Sequence, residues 1–383
     1  MTPKALLILA LLVAVGGCSG SDETPGYDLD SDSQAQVVAD AYAARVFAAY
    51  QETETKAKDL EAKIKAFVAA PSEAGFTACK SAWLAARPAY GRTEAFRFYG
   101  GPIDAKDTGK EGEINGWPLD ENFVDYVKDD PDAGIVNKPT EFPTIDAKVI
   151  AGLNEKDGEK NLSTGWHAIE FLLWGQDLDD AGPGKRPYTD FVDSGTAKNQ
   201  ARRRTYLVVA AELLVADLAE VRAAWEPTKG YAATWVTRSR KQSLLDVFQG
   251  IVSLSGIELG GERMTVAYTN QDQEDEHSCF SDNTTADFAA NQEGIAAIYL
   301  GSAERPGLSV LVKAKDAAID AAARKALDDA TAAIKAIPAP FDTAIKGEPG
   351  RQKVKAAIDA LKVQTDALVK AANLLDLKVS TKA

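Results

Sequence analysis

The sequence predicts an all-α protein of two helical-bundle subdomains packed together, and three observations carry that prediction. Alanine is abundant and β-branched runs are scarce, which favours helix over strand. Apolar residues recur at helical spacing along stretches joined by short Pro- and Gly-rich turns, the pattern of helix bundles. The mature chain, about 350 residues, also exceeds what one hydrophobic core usually serves.

The elements follow in order. Lys4, the apolar run Ala5 to Val15 and the small residues before Cys18 resemble a bacterial lipoprotein signal, with residues 1–17 removed and Cys18 acylated. The run is too short to span a bilayer as a helix, and an ordinary secretory peptide is the alternative. Residues 18–36 are small, polar and acidic, and read as a flexible linker. Asp28, Asp30 and Asp32 alternate like the start of a calcium loop, but Ser33 and Ala39 stand where that loop needs Gly and Glu. The domain then runs over 37–377, with the junction of its two halves around 160–235. Val37, Val38, Tyr42, Val46, Phe47 and Tyr50 mark the stripe of a first long helix, and Phe76, Cys79, Trp83 and Leu84 a second that Pro88 kinks or ends. Residues 101–160 are turn-rich with a short helix near 120–127. Helices are expected from Ser163–Thr164 to Trp174, then over 198–225, 238–268, 285–300, 307–337 and 349–377. No segment after the signal reads as a membrane span.

A net charge of −14 excludes phosphate-driven nucleic-acid binding and leaves cations as plausible ligands. With Cys18 acylated, Cys79 and Cys279 remain, an even pair that an oxidising compartment would join. Such a bridge would close about 200 residues and contribute roughly 4–5 kcal/mol in the chain-entropy model. Two buried free thiols are the alternative.

The chain has only two histidines. His167 and Glu170 lie three apart on an apolar helix, so they share a face and could meet one ion; they could equally pair with each other. His277, in Glu274-Asp275-Glu276-His277, is a candidate third ligand or an exposed loop residue. Glu94, in an aromatic, arginine-rich stretch, is a candidate supporting metal ligand or a member of an Arg–Glu network. Glu258 and Glu262 share a helical face with Arg263 beside them, as metal ligands or as an Arg–Glu network locking helices. No HExxH motif is present, and two histidines give little support to haem ligation.

GWHAIEFLLWGQD at 165–177 resembles the GxHxxE signature of the imelysin-like family, supported by AWLAARPAYGRTEAFRFYGGPID at 82–104, SGIELGGERM at 255–264 and EHSCFSDNT at 276–284. The likeness extends from about 37 to 377. It implies two helical bundles with the site near their junction and a link to iron acquisition, His167 and Glu170 being the motif residues and Gly165 its structural glycine. Trp166 lies within the motif, and Glu94, Asp104, Glu258, Glu262 and Arg263 in its flanking stretches. The resulting expectation is a lipid-anchored bacterial envelope protein, periplasm-facing or at the cell surface. It would bind a divalent metal, iron favoured over zinc, or a small iron ligand, and work beside envelope iron-uptake proteins. The alternatives are a metallopeptidase built on His167 and Glu170, and a non-catalytic interaction module.

Overall fold

The computed structural model describes residues 28–180 and 182–382, and every regular element among them is helical. The signal segment and Cys18 lie outside the described residues. Helix α1 (Ser33–Ala69) opens the fold, capped by the Asp32 carboxylate, which accepts from Gln34 N at 2.7 Å. Leu29 is buried, and Asp30 accepts from the Ser239 hydroxyl at 3.0 Å. Residues 28–36, assigned to the linker from composition, therefore belong to the folded domain: their aspartates satisfy backbone donors at two helix starts.

Helix α2 (Glu73–Gly91) carries Pro88 in its last turn, where it ends the helix three residues later. Both α2 and α4 (Gln200–Ala224) pack along α1, and α3 (Gly165–Trp174) lies against α2 and α4. All ten residues of α3 are buried, which marks it as a central helix rather than an amphipathic surface one. His167 and Glu170 are its only ionisable groups, so the fold carries them into its interior.

Helix α5 (Arg240–Ser253) continues into a π-helical stretch, Leu254–Thr265, and then Val266–Asn270. This 31-residue run has enough mean hydropathy, 1.2 in its most apolar window, to pass as a membrane span. It is instead a core helix, because 67% of that window is buried within the protein. Gly256 lets the π-helix press on α9 (Gly350–Leu374): a Cβ there would lie 2.9 Å from Thr365 Cγ2.

In the second half, α6 (Thr284–Leu300) contacts α2 and α7 (Ala317–Lys335), which pairs with α9. Asp316 breaks the helix expected over 307–337 and caps α7. The short α8 (Phe341–Lys346) occupies what reads in sequence as a Pro-rich joint. Two cores result. The larger gathers α1 to α5 together with Ile295, Leu327 and Leu368 from α6, α7 and α9; the smaller gathers Leu259, Met264, Phe288, Ile334, Phe341 and Leu361.

Candidate functional site

Gly165 sets the entry angle of α3. Its φ is +82°, and a Cβ there would fall 2.5 Å from the carbonyl oxygen of Ile114, so no other residue lets α3 start this close to the Glu111–Asn115 helix. One turn on, His167 Nδ1 lies 2.9 Å from Glu170 Oε2. Glu170 Oε1 accepts from both the backbone N–H (3.0 Å) and the hydroxyl (2.6 Å) of Ser281.

The other face of the imidazole meets Arg87, a residue of α2 with 1% exposure. Arg87 Nη2 lies 3.3 Å from His167 Nε2 and 2.9 Å from His277 Nε2. A guanidinium only donates, so both Nε2 atoms accept, and His167 must carry its proton on Nδ1 and donate it to Glu170. Burial, reinforced by Arg87 and Arg263, holds His167 well below the ordinary imidazole range; burial, Arg263 and Arg87 do the same for His277. Both are neutral acceptors at pH 7. Burial pushes Glu170 up to about 8, and the two Ser281 donors and the Arg87 charge oppose that push. Arg87 Nε lies 3.3 Å from Asp287 Oδ1, and Ser278 Oγ donates to the same carboxylate at 2.5 Å.

A second charge layer lies beside the first. Glu94 accepts from Asn115 Nδ2 (3.0 Å), Arg97 (2.6 Å) and Arg263 (2.8 Å). Burial would raise its pKa, but Arg263, Arg97 and Arg87 outweigh it and hold Glu94 at about 2. Arg263 also bonds Glu258 Oε1 (2.8 Å) and Asn291 (2.7 Å). Residues five apart point about 140° away from each other on an α-helix. The i→i+5 closure of a π-helix stacks them instead, which is how Glu258 and Arg263 come to pair.

Above these layers opens a cavity of about 550 Å³. Trp117, His277, Asn115, Arg97 and Arg263 line it, with seven carboxylates: Glu111, Glu155, Glu159, Glu258, Glu262, Glu274 and Asp275. The Trp117 ring packs on His167 at 4.8 Å between centroids and on His277 at 6.3 Å.

With this geometry established, the chain can be compared with known proteins. A family model described as Imelysin (Peptidase_M75) matches residues 46–368. The chain belongs to the imelysin family. Its fold is shared by a structure described as an iron-regulated protein A precursor from Parabacteroides distasonis, at 20% identity and a TM-score of 0.71, covering 91% of this chain and 100% of that one. An imelysin-like protein from Psychrobacter arcticum matches at 17% identity and a TM-score of 0.67, covering 92% and 99%. No curated protein matches the chain.

Seen on this imelysin fold, the candidate residues divide. His167, Glu170 and His277 are brought together, and Glu258, Glu262, Arg263 and His277 line the cavity. Glu94 is fully engaged by its three donors. Asp104 lies elsewhere, holding the positive-φ turn at Phe98 by accepting from its N–H. Trp166 is buried, its carbonyl accepting from Trp83 Nε1 at 3.1 Å. The expected Cys79–Cys279 bridge is absent; both are free, buried thiols.

A metal held by both imidazoles would need their Nε2 lone pairs, and Arg87 takes both. The His167/Glu170/His277 set as arranged does not fit a resident metal ion. Arg87, Asn115, Trp117, Ser281 and Asp287 are the residues missed from sequence. Arg87 and Ser281 left a trace: Arg87 lies four after Trp83 and three before Tyr90, on the buried face of α2, and Ser281 falls within EHSCFSDNT.

Proposed function

We propose that this imelysin is an exported, lipid-anchored envelope protein that takes iron, or a small iron-containing ligand, into the acidic cavity above His277 and serves iron acquisition. The observation that carries the reading is the cavity wall: seven carboxylates against two arginines, and with Glu111 and Glu258 paired to Arg97 and Arg263, five remain, Glu155, Glu159, Glu262, Glu274 and Asp275. A cleft lined by one sign of charge concentrates counter-ions, and carboxylate oxygens suit hard cations. The family membership and the iron-regulated description of a protein with the same fold point the same way. His167 and Glu170 act as positioning residues: through Ser281 and Arg87 they fix the loop that presents His277 to the cavity. Arg87 across both imidazoles weighs against a metallopeptidase, which needs an open coordination position there.

The test is titration of chelator-free protein with ferrous iron and with ferric citrate, read by calorimetry and metal analysis. Binding near one equivalent, lost in a folded Glu258→Gln/Glu262→Gln variant, is expected. A folded parent that binds neither form, or binding untouched by that double substitution, overturns the reading.

A further inference from the structure

The loop that presents His277 to the cavity and Ser281 to Glu170 meets acids that the proposed iron site does not use. Asp177 follows the end of α3, Asp282 lies on the loop at a φ of +58°, and Asp342 opens α8. One carboxylate oxygen of each falls within 4.8 Å of the other two. These three elements are distant in sequence, and nothing about helix packing requires their acids to converge.

Two buried side chains at this point have unsatisfied oxygens. Asp342 is 1% exposed; its Oδ1 accepts from Thr343 N at 2.7 Å, and its Oδ2 has no hydrogen-bond partner. Glu276, also 1% exposed, has the Thr284 hydroxyl as a polar side-chain neighbour, too poorly aligned for a full hydrogen bond, and the charges that weigh most on it are Asp342, Asp282 and Asp177. Buried, unsatisfied carboxylate oxygens are costly, and such groups are normally paired or coordinate a cation. The charges weighing on Asp177 are Asp342, Asp179 and Asp180, and those on Asp282 are Asp177, Asp342 and Asp179. Lys346 acts on Asp342, but its amine is hydrogen-bonded to Asp180 at 2.6 Å. Burial, and then this mutual repulsion, pushes Asp177 up to about 6 and Asp282 to about 7.

We propose that Asp177, Asp282 and Asp342, with Glu276 adjoining them, form a binding site for a divalent cation of calcium type. The donors are all oxygens, with no imidazole or thiolate, which selects a hard cation over zinc or copper. Carboxylates converging from three separate segments suit the irregular, many-ligand shell of calcium better than the strict octahedron of magnesium. The bound cation pins the loop that carries Glu276, His277, Ser281 and Asp282 to the end of α3 and the start of α8. It thereby holds the loop whose Ser281 bonds Glu170 and whose His277 faces the cavity.

The experiment uses the mature chain, stripped with EDTA and titrated with calcium chloride by calorimetry and thermal unfolding. One calcium per chain and a rise in Tm with calcium are expected. Asp342→Asn should weaken calcium binding by more than about tenfold, because ligand charge sets affinity at such sites. In EDTA the same variant should be at least as stable as the parent, since it removes one charge from a repelling group; the lost binding is then not unfolding. Folded parent that binds no calcium at about 1 mM, the weak end for extracellular sites, overturns the proposal. So does undiminished binding in a folded Asp282→Asn/Asp342→Asn variant. Iron titration with calcium saturated separates this site from the cavity, because Glu258 and Glu262 belong to the cavity alone.

Discussion

Replacing Arg87 by Met tests whether the guanidinium, rather than a metal, organises the two histidines. The substitution keeps much of the side chain's length and removes its charge. It deletes two donors to imidazole, one to Asn115, and the countercharge of Asp287. Removing one partner of a buried ion pair costs about 3–5 kcal/mol. Asp287 keeps Ser278 at 2.5 Å and Asn283 at 3.2 Å, so the lower end, about 3 kcal/mol, applies here. With an unfolding entropy of about 2.1 cal/mol/K per residue over about 350 residues, that lowers Tm by roughly 4 °C. The chain's two histidines give a second readout, since imidazole NMR signals are then only two. Both imidazoles titrate well below the ordinary range in the folded parent, whereas the unfolded chain takes up their protons below about pH 6.5. Stability therefore falls as pH drops through that window, by about 1.4 kcal/mol per unit for each histidine. Burial is the first cause of both depressions, and arginine charge the next. Arg87→Met should thus raise both values part of the way and narrow the pH window over which stability is lost. It also uncovers both Nε2 lone pairs, so the variant should bind zinc or cobalt more tightly than the parent. A parent whose histidines titrate near pH 6.5, or a variant with unchanged Tm and unchanged imidazole signals, refutes the reasoning.

Gly165→Ala should cost about 3 kcal/mol or more, from the positive φ together with the clash against the Ile114 carbonyl, seen as a lower denaturant midpoint. Glu94→Gln should destabilise by about 3–5 kcal/mol, because Arg97 and Arg263 lose a buried countercharge. Glu94's folded value of about 2 lies below its unfolded one, so its contribution is present at neutral pH and lost as pH falls from about 4.5 to 2; that acid branch should flatten in the variant. In a chain lacking Cys18, a thiol reagent at pH 8 should react with neither cysteine when native and both in guanidinium. Burial pushes Cys79 up to about 12 and Cys279 well above its usual range, and reductant should leave Tm unchanged.

The helices were legible in sequence because burial imposes a period, and that period runs unbroken through α1, α4 and α9. The π-helical stretch was not, since Gly256, Gly260 and Gly261 announce only that neighbours come close. Whether the backbone then widens depends on Thr365 and Leu361, about a hundred residues downstream. The start of the domain was misplaced for a related reason. An acidic, small-residue stretch has the composition of a linker until Asp30 finds the start of α5 more than two hundred residues away.

The site shows the same division between local and distant information. An i,i+3 His/Glu pair on a buried helix is compatible with a metal half-site and with a hydrogen-bonded pair, and the side-chain directions are identical in both cases. What separates them is the group facing the free imidazole nitrogen, and only the fold supplies it. Here that group is Arg87, itself held by Asp287 and Asn115. The distinction matters because a guanidinium cannot be titrated away to make room for a cation. A metal can reach His167 Nε2 only if Arg87 moves, and moving it uncovers the buried charge of Asp287. The carboxylates Asp177, Asp282 and Asp342 invert that logic. They converge with no guanidinium among them, and the lysines that act on them, Lys185 and Lys346, are hydrogen-bonded to Asp179 and Asp180 instead, so the term that opposes a metal at His167 favours one there.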